Sequence, residues 1–308
     1  MLRYVFLRLL QGVVVIFLVS ITSFVIMQIA PGSPVQIIVG EQQVTQEQLD
    51  LITHKWGLDR PWYVQYFTWL GNVFTGDFGQ SMIRTGVPVR QMILEAAPVT
   101  LRLNLLSILL SVSVAVPIGI IAAIKRYSWF DYGSMIGSTL GIALPNYWVG
   151  LMLIILFSLK LGWLPPYGSD SWKSYVLPVS VLAAQEMAVL ARLARGATSE
   201  VLSQDYVTTA RAKGLRETAV VIRHVVRNSL LPVVTILGYR IAFLLSGTIV
   251  VETIFAWPGI GQLFFTSIDN KDYQVVQAIV LVLATIVVVV NIVTDLVYAY
   301  IDPRIRIR

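Results

Sequence analysis

The chain has 308 residues, of which 56% are hydrophobic and 13% charged, and it carries a net charge of +6. Soluble domains hold about 25% charged residues, so an ordinary water-soluble fold is excluded and long uncharged runs are expected. The absence of cysteine rules out disulfides and thiolate metal sites.

Six segments, near 9–30, 103–124, 134–158, 174–191, 231–254 and 275–299, approach or exceed the roughly 20 apolar residues that cross a bilayer core. They predict an all-α membrane protein with six transmembrane helices. The first follows Arg3 and Arg8 as a secretory signal would. Its apolar stretch is too long for an h-region, no A-x-A site follows, and Pro31 would obstruct cleavage after Ala30, so it reads as a retained helix. Residues 31–98 form an insertion with turn signals at Pro31–Gly32–Ser33–Pro34, a helix over Thr45–Lys55 and the aromatic run "RPWYVQYFTWLGNVF". Trp62, Tyr63, Tyr66, Phe67 and Trp69 suit either an interfacial belt or a small cap over the outer mouth.

The third segment spaces Gly133, Gly137 and Gly141 four apart, which would let a neighbouring helix approach closely, and Pro145 should kink it. The fourth contains Gln185 and Glu186. Between the fourth and fifth, residues 192–231 read as a helical hairpin. One arm runs from about Glu200 to Lys213 with Ser203 or Asp205 as a cap, Gly214 supplies a left-handed stop, and a second helix covers "ETAVVIRHVVRNSLL". Its Val220, Val221, Val225 and Leu231 offer an apolar face, and Arg216, Arg223, His224 and Arg227 a basic one. Pro232 then opens the fifth segment, "AWPGIGQLFF" forms a turn and a short interfacial helix, and the sixth segment follows.

Six spans put both termini on one side. That side collects fourteen Lys and Arg, among them Lys125, Arg126, Arg192, Arg195, Arg211, Lys213 and Arg223. The other has seven (Lys55, Arg60, Arg84, Arg90, Lys160, Lys173 and Lys271) over much longer loops. The bias fits the positive-inside rule with cytoplasmic termini, and it explains the net charge without a nucleic acid partner. The hairpin is then cytoplasmic and 31–98 an extracytoplasmic insertion, within a single transmembrane domain over 1–308.

Four ionisable residues lie in or near the apolar segments: Glu186, Arg240, Glu252 and Asp295. Charge is costly in hydrocarbon, so these are candidates for a polar translocation path. Glu252 and Asp295 also lie close enough to segment ends to reach an interface, and Glu186 could pair with Arg240. No phosphate-cradling loop, His-Glu-x-x-His or Gly-x-Ser-x-Gly is present, and His54 and His224 fall on opposite sides of the membrane, where they cannot share a metal. No catalytic residue can be assigned.

An ordered hairpin on a membrane chain without an energy source suits a docking element, or else an amphipathic hairpin resting on headgroups. The stretch Asp205–Tyr206, Thr209–Leu215, Arg223–His224, Arg227–Asn228 and Leu231–Val233 resembles the cytoplasmic "EAA" loop of ABC importer permeases, in the dipeptide/oligopeptide/nickel branch. "APGSP", "GLDRPWYVQYFTWLGNVFTGDFGQSM", "GWLPPYG", "VVETIFAWPGIGQL", "DYQVVQA" and "IDPRIR" extend the resemblance over nearly the whole length. Thr208, Thr209 and Ala210 stand where the general family has Glu-Ala-Ala, which points to the peptide branch.

The resemblance implies a type I ABC importer permease in a bacterial or archaeal cytoplasmic (inner) membrane. It implies as partners a second homologous permease chain, two ATPase subunits that bind ATP and Mg, and an extracytoplasmic solute-binding protein. This chain itself would bind no cofactor. The ATPase-coupling residues would be Asp205, Tyr206, Thr209, Ala210, Arg211, Ala212, Lys213, Gly214, Leu215 and Arg223. The solute would be a dipeptide, oligopeptide or glutathione; a nickel chelate fits the same branch, and an ion-coupled secondary transporter is the alternative outside it.

Overall fold

The computed structural model describes residues 2–29, 39, 45–241 and 248–301, with side chains for 5–29, 39, 45–237 and 248–295. The described part is helical. In chain order the helices are α1 (Leu2–Ile29), α2 (Gln46–Lys55), α3 (Trp62–Phe74), α4 (Val89–Ile124), α5 (Trp129–Ala143), α6 (Asn146–Leu153), α7 (Trp172–Leu202), α8 (Asp205–Ala212), α9 (Glu217–Ala219), α10 (Arg227–Ile241), α11 (Ile249–Ile254), α12 (Ile260–Asp269) and α13 (Tyr273–Ile301). π-helical stretches, Ile154–Lys160 and Val220–Val226, continue α6 and join α9 to α10.

Among the described residues five helical stretches are long and apolar enough to cross a membrane: Val5–Ile29, Val89–Ile124, Trp172–Leu202, Glu217–Leu237 and Tyr273–Asp295. α5 with α6 and its π-helical extension makes a sixth if the bent pair is one span. The bend is 103°, a break rather than the expected kink. Leu144, the residue before Pro145, is driven to extended backbone (ψ 127°), which ends α5, and Pro145 caps the start of α6. The fifth span also differs from its sequence reading. Pro232 lies inside α10 instead of opening the span, and the hydropathic stretch begins in the hairpin. The fourth span runs on to Leu202, well past 191. The turn at Pro31–Pro34 and the final "DPRIR" lie outside the described residues.

The chain divides into two compact units, residues 1–99 with 259–308, and residues 100–258. In the first, α1 lies along α13, and the Arg8 guanidinium meets Asp295 at 3.0 Å. α2 begins where expected: Thr45 Oγ1 accepts from Gln48 N–H while Gln48 Oε1 accepts from Thr45 N–H, a reciprocal capping box. The aromatic run forms α3 and divides by face. Tyr66 is buried against Phe24, its hydroxyl 2.8 Å from Ser20 Oγ, whereas Trp62, Tyr63 and Phe67 are exposed. Asp272, in the turn between α12 and α13, accepts hydrogen bonds from the Ser81 hydroxyl and from the Met82 N–H.

The second unit is built on small residues. Ala115, Val116, Leu190, Ala191, Ala194 and Val233 form a buried core shared by α4, α7 and α10. Gly119 marks the tightest approach: a Cβ there would lie 2.5 Å from the Ala191 carbonyl oxygen and 2.7 Å from the Ala194 Cβ. The glycine ladder of α5 is used only at its end. A Cβ on Gly141 would come 2.9 Å from the Ala188 Cβ, whereas Gly133 and Gly137 have open space and line a groove with Trp129 and Phe130.

Candidate functional site

The hairpin is built from local rules. Ser203 ends α7, its hydroxyl donating to the Glu200 carbonyl at 2.7 Å. The arm expected as one helix from Glu200 is therefore split, and α8 starts only at Asp205. Thr209 donates back to the Asp205 carbonyl within α8. The turn closes through Gly214 at φ 77°, a left-handed conformation that costs a side-chain-bearing residue about 1–2 kcal/mol. Its N–H donates to the Arg211 carbonyl at 2.9 Å.

The two arms share a small core of Val207, Ala210, Val220 and Val225. Val207 and Ala210 are three apart and lie on one face of α8. Val220 and Val225 are five apart, which on an α-helix would point them about 140° away from each other. The π-helical winding of Val220–Val226 takes an extra residue per turn and returns both to the same side. Polar ties fasten the hairpin on either side of this core. Arg211 holds Glu217 through two hydrogen bonds, Nη2–Oε1 at 2.7 Å and Nε–Oε2 at 3.1 Å, bridging the bend. The hydrogen-bonded Glu217 carboxylate raises the Arg211 guanidinium above its usual pKa. Asn228 Nδ2 donates to the Tyr206 hydroxyl at 3.1 Å and to the His224 carbonyl at 2.8 Å.

Of the sequence-selected coupling residues, Asp205, Tyr206, Thr209, Arg211, Ala212, Lys213, Gly214, Leu215 and Arg223 are exposed. They form a surface of one hydroxyl-rich turn, a bend and several cations, free to meet another macromolecule. Ala210 is the exception, turned inward at 6% exposure. Leu231 also departs from its expected place: it is exposed, and Val225 and Val220 carry the apolar face.

Two of the four path candidates, Glu252 and Asp295, are engaged in local contacts. Glu252 is fully buried on α11, its Oε1 accepting from Thr100 Oγ1 at 2.7 Å and Thr248 Oγ1 at 2.8 Å. Beside it Trp257 is buried edge-on to Tyr175, ring centroids 4.6 Å apart. Asp295 is taken up by Arg8. Glu186 lies half-buried on α7. Arg240 falls on α10, and its side chain lies outside the described residues, as does any pairing with Glu186.

Sequence reasoning missed a partly buried ion pair of the second unit. Arg195, counted as a loop cation, lies on α7 and grips Asp131 in a two-pronged contact, Nε–Oδ1 2.5 Å and Nη2–Oδ2 2.7 Å. Asp131 is 2% exposed and also accepts from the Tyr127 N–H. No spacing rule joins residues 64 apart, so only the Ser128–Asp131 helix start was a readable signal. The Asn146 amide donating to Gln185 at 2.8 Å was missed for the same reason.

Comparison with known proteins adds to this geometry. Residues 115–307 match the family described as "Binding-protein-dependent transport system inner membrane component", and residues 1–104 match the N-terminal component of the same systems. The chain is 42% identical over 316 residues to the oligopeptide transport system permease protein AppB of Bacillus subtilis, covering 99% of this chain and all of that one. It is also 42% identical over 306 residues to the glutathione transport system permease protein GsiC of Escherichia coli K12 and of Shigella dysenteriae, covering 99% of each chain.

Proposed function

The chain belongs to the family of binding-protein-dependent transport inner membrane components and is an ABC permease of the peptide type; on that premise we propose that it is one of two permease chains of an ATP-driven importer of short peptides. It works as a single permease domain with six spans in a bacterial or archaeal cytoplasmic membrane. Both termini face the cytoplasm, and 31–98 lies outside, where a solute-binding protein delivers its load. Two separate ATPase subunits bind ATP and Mg and burn the fuel; this chain binds neither. The ion-coupled alternative is not favoured, since family and relatives agree on the ABC class.

The observation that carries the mechanism is the hairpin: a stiff core, tied on both sides, presenting Asp205, Tyr206, Thr209, Arg211–Leu215 and Arg223 outward. A groove on one ATPase subunit receives this face. Closure of the ATPase pair on ATP displaces the hairpin and turns the path outward, with a coupling free energy on the order of 1–3 kcal/mol. Glu186, Arg240, Glu252 and Asp295 remain the candidates to contact or shape that path.

The test is Gly214→Val in the reconstituted transporter. A Cβ there meets no neighbour within 4 Å, but the left-handed turn is strained. Uptake should fall while basal ATP hydrolysis persists, and Gly214→Asn, which tolerates this backbone, should retain most of the uptake. Wild-type uptake and solute-stimulated hydrolysis in the valine variant would refute the reading.

A further inference from the structure

The first unit holds a cavity of about 380 Å³ that no role given above uses. It lies among the end of α1, the end of α2, one face of α3 and the start of α13. The indoles of Trp56 and Trp69 line it, together with the cations Lys55 and Arg60 and the carboxylate of Asp77. Gln277 also lines it, from the first turns of α13. That side chain is 7% exposed, and its amide nitrogen has no hydrogen-bond partner among the described residues.

A buried N–H without an acceptor is a standing cost that folding alone would remove by substitution. Such a donor is explained where a ligand brings the acceptor. The remaining lining says what kind. Two cations and one anion are complemented by a molecule with two carboxylates and one ammonium group. Gln277 adds a neutral donor for a carboxylate or peptide oxygen, and the indoles offer faces for flat amide groups or an apolar side chain. The volume lies near the lower end of the roughly 300–1,000 Å³ of small-molecule pockets, which excludes a long peptide.

We propose that this cavity is a binding subsite for a short acidic peptide of two or three residues, recognised by Lys55, Arg60, Asp77 and the orphan amide of Gln277. The inference rests on the peptide-permease reading and on an extracytoplasmic 31–98. It deepens that reading by giving the permease a selectivity of its own, apart from that of the delivering protein.

The experiment uses the full transporter in nanodiscs, without binding protein or nucleotide, and equilibrium dialysis with two labelled probes. Reduced glutathione carries two carboxylates and one ammonium; triglycine carries one of each. Glutathione should bind saturably, and triglycine at least about tenfold more weakly. Gln277→Leu should weaken glutathione by about tenfold to a hundredfold and leave the ligand-free melting temperature equal or higher, because the orphan donor is gone. Arg60→Ala should weaken glutathione and leave triglycine unchanged. Binding-protein-dependent uptake of a peptide mixture is measured on the same preparation. Uptake without saturable binding, binding indifferent to Gln277→Leu, or binding only when the solute-binding protein is added each overturns the subsite and leaves the permease reading intact. Absence of any peptide uptake overturns the permease reading, and the subsite with it.

Discussion

Gly119→Ala tests how closely α4 and α7 are packed. The added Cβ would stand 2.5 Å from the Ala191 oxygen, 2.7 Å from the Ala194 Cβ and 2.9 Å from the Arg195 nitrogen, where ordinary contact begins at 3.4 Å. The first shortfall is 0.9 Å. All three neighbours are backbone or Cβ atoms, so none can rotate away, and the helices must separate. Overpacking of this kind costs about 1–3 kcal/mol. Alanine returns up to about 1 kcal/mol through helix propensity. Gly137→Ala is the matched control, because its Cβ meets nothing within 4 Å and only the propensity gain remains. The difference between the two variants isolates the packing cost, about 1–3 kcal/mol, and should appear as a gap of several degrees in Tm. Thermal unfolding of both proteins in identical nanodiscs measures it. A Gly119→Ala protein as stable as Gly137→Ala would refute the close approach.

Removing either member of the Asp131–Arg195 pair should cost about 3–5 kcal/mol by stranding its partner, whereas the second removal adds little; a double-mutant cycle in Tm checks the coupling. Glu252→Ala should destabilise by about 1–3 kcal/mol for each hydroxyl left without its acceptor, and Glu252→Gln, which keeps an acceptor oxygen, should be milder by chemical denaturation. Ala210→Glu, which forces a charge into the hairpin core, should abolish uptake, while Ala212→Glu on the exposed face should leave the hairpin folded. Limited proteolysis at 203–231 separates the two. Loss of the Arg211–Glu217 contact should have a small effect that fades with added salt, read as the salt dependence of stimulated ATP hydrolysis.

Local rules were readable and long-range contacts were not. Thr45 with Gln48 announces the start of α2, Gly214 announces the bend, and apolar length announces the spans, because each depends on residues within a turn or on bulk composition. Pro145 was readable as a disturbance, but not as a 103° break. That outcome depends on how the two halves pack, Gly141 against Ala188 on one side and Gly150 against Phe255 on the other. The glycine ladder misled for the same reason. Spacing shows that a helix can approach, and only the fold shows that Gly141 is approached while Gly133 and Gly137 are not. The fifth span slipped because Pro232 reads as the opening of a helix, whereas α10 runs through it. Val220 and Val225 read as one apolar face in the sequence and share a buried face in the fold, where the π-helical stretch between them brings them to the same side.

That π-helical stretch also bears on how force would leave the hairpin. α8 is separated from α7 only by Ser203 and Gln204, and the other arm has no break at all from Glu217 to Ile241. A displacement at Gly214 would therefore reach α7 and α10 together. Those two helices share Leu190, Ala191, Ala194 and Val233, so they would move as a pair rather than slide. α7 in turn holds α5 through Arg195 and Asp131, and crowds α4 at Gly119. The hairpin is thus joined without a loose link to four of the helices in its unit. Glycines inserted between Leu202 and Asp205 would loosen only the arm that already has a break, so uptake should fall little, whereas glycines inserted between Val226 and Arg227, in the unbroken arm, should abolish it; equal losses in the two variants would refute this division of the load.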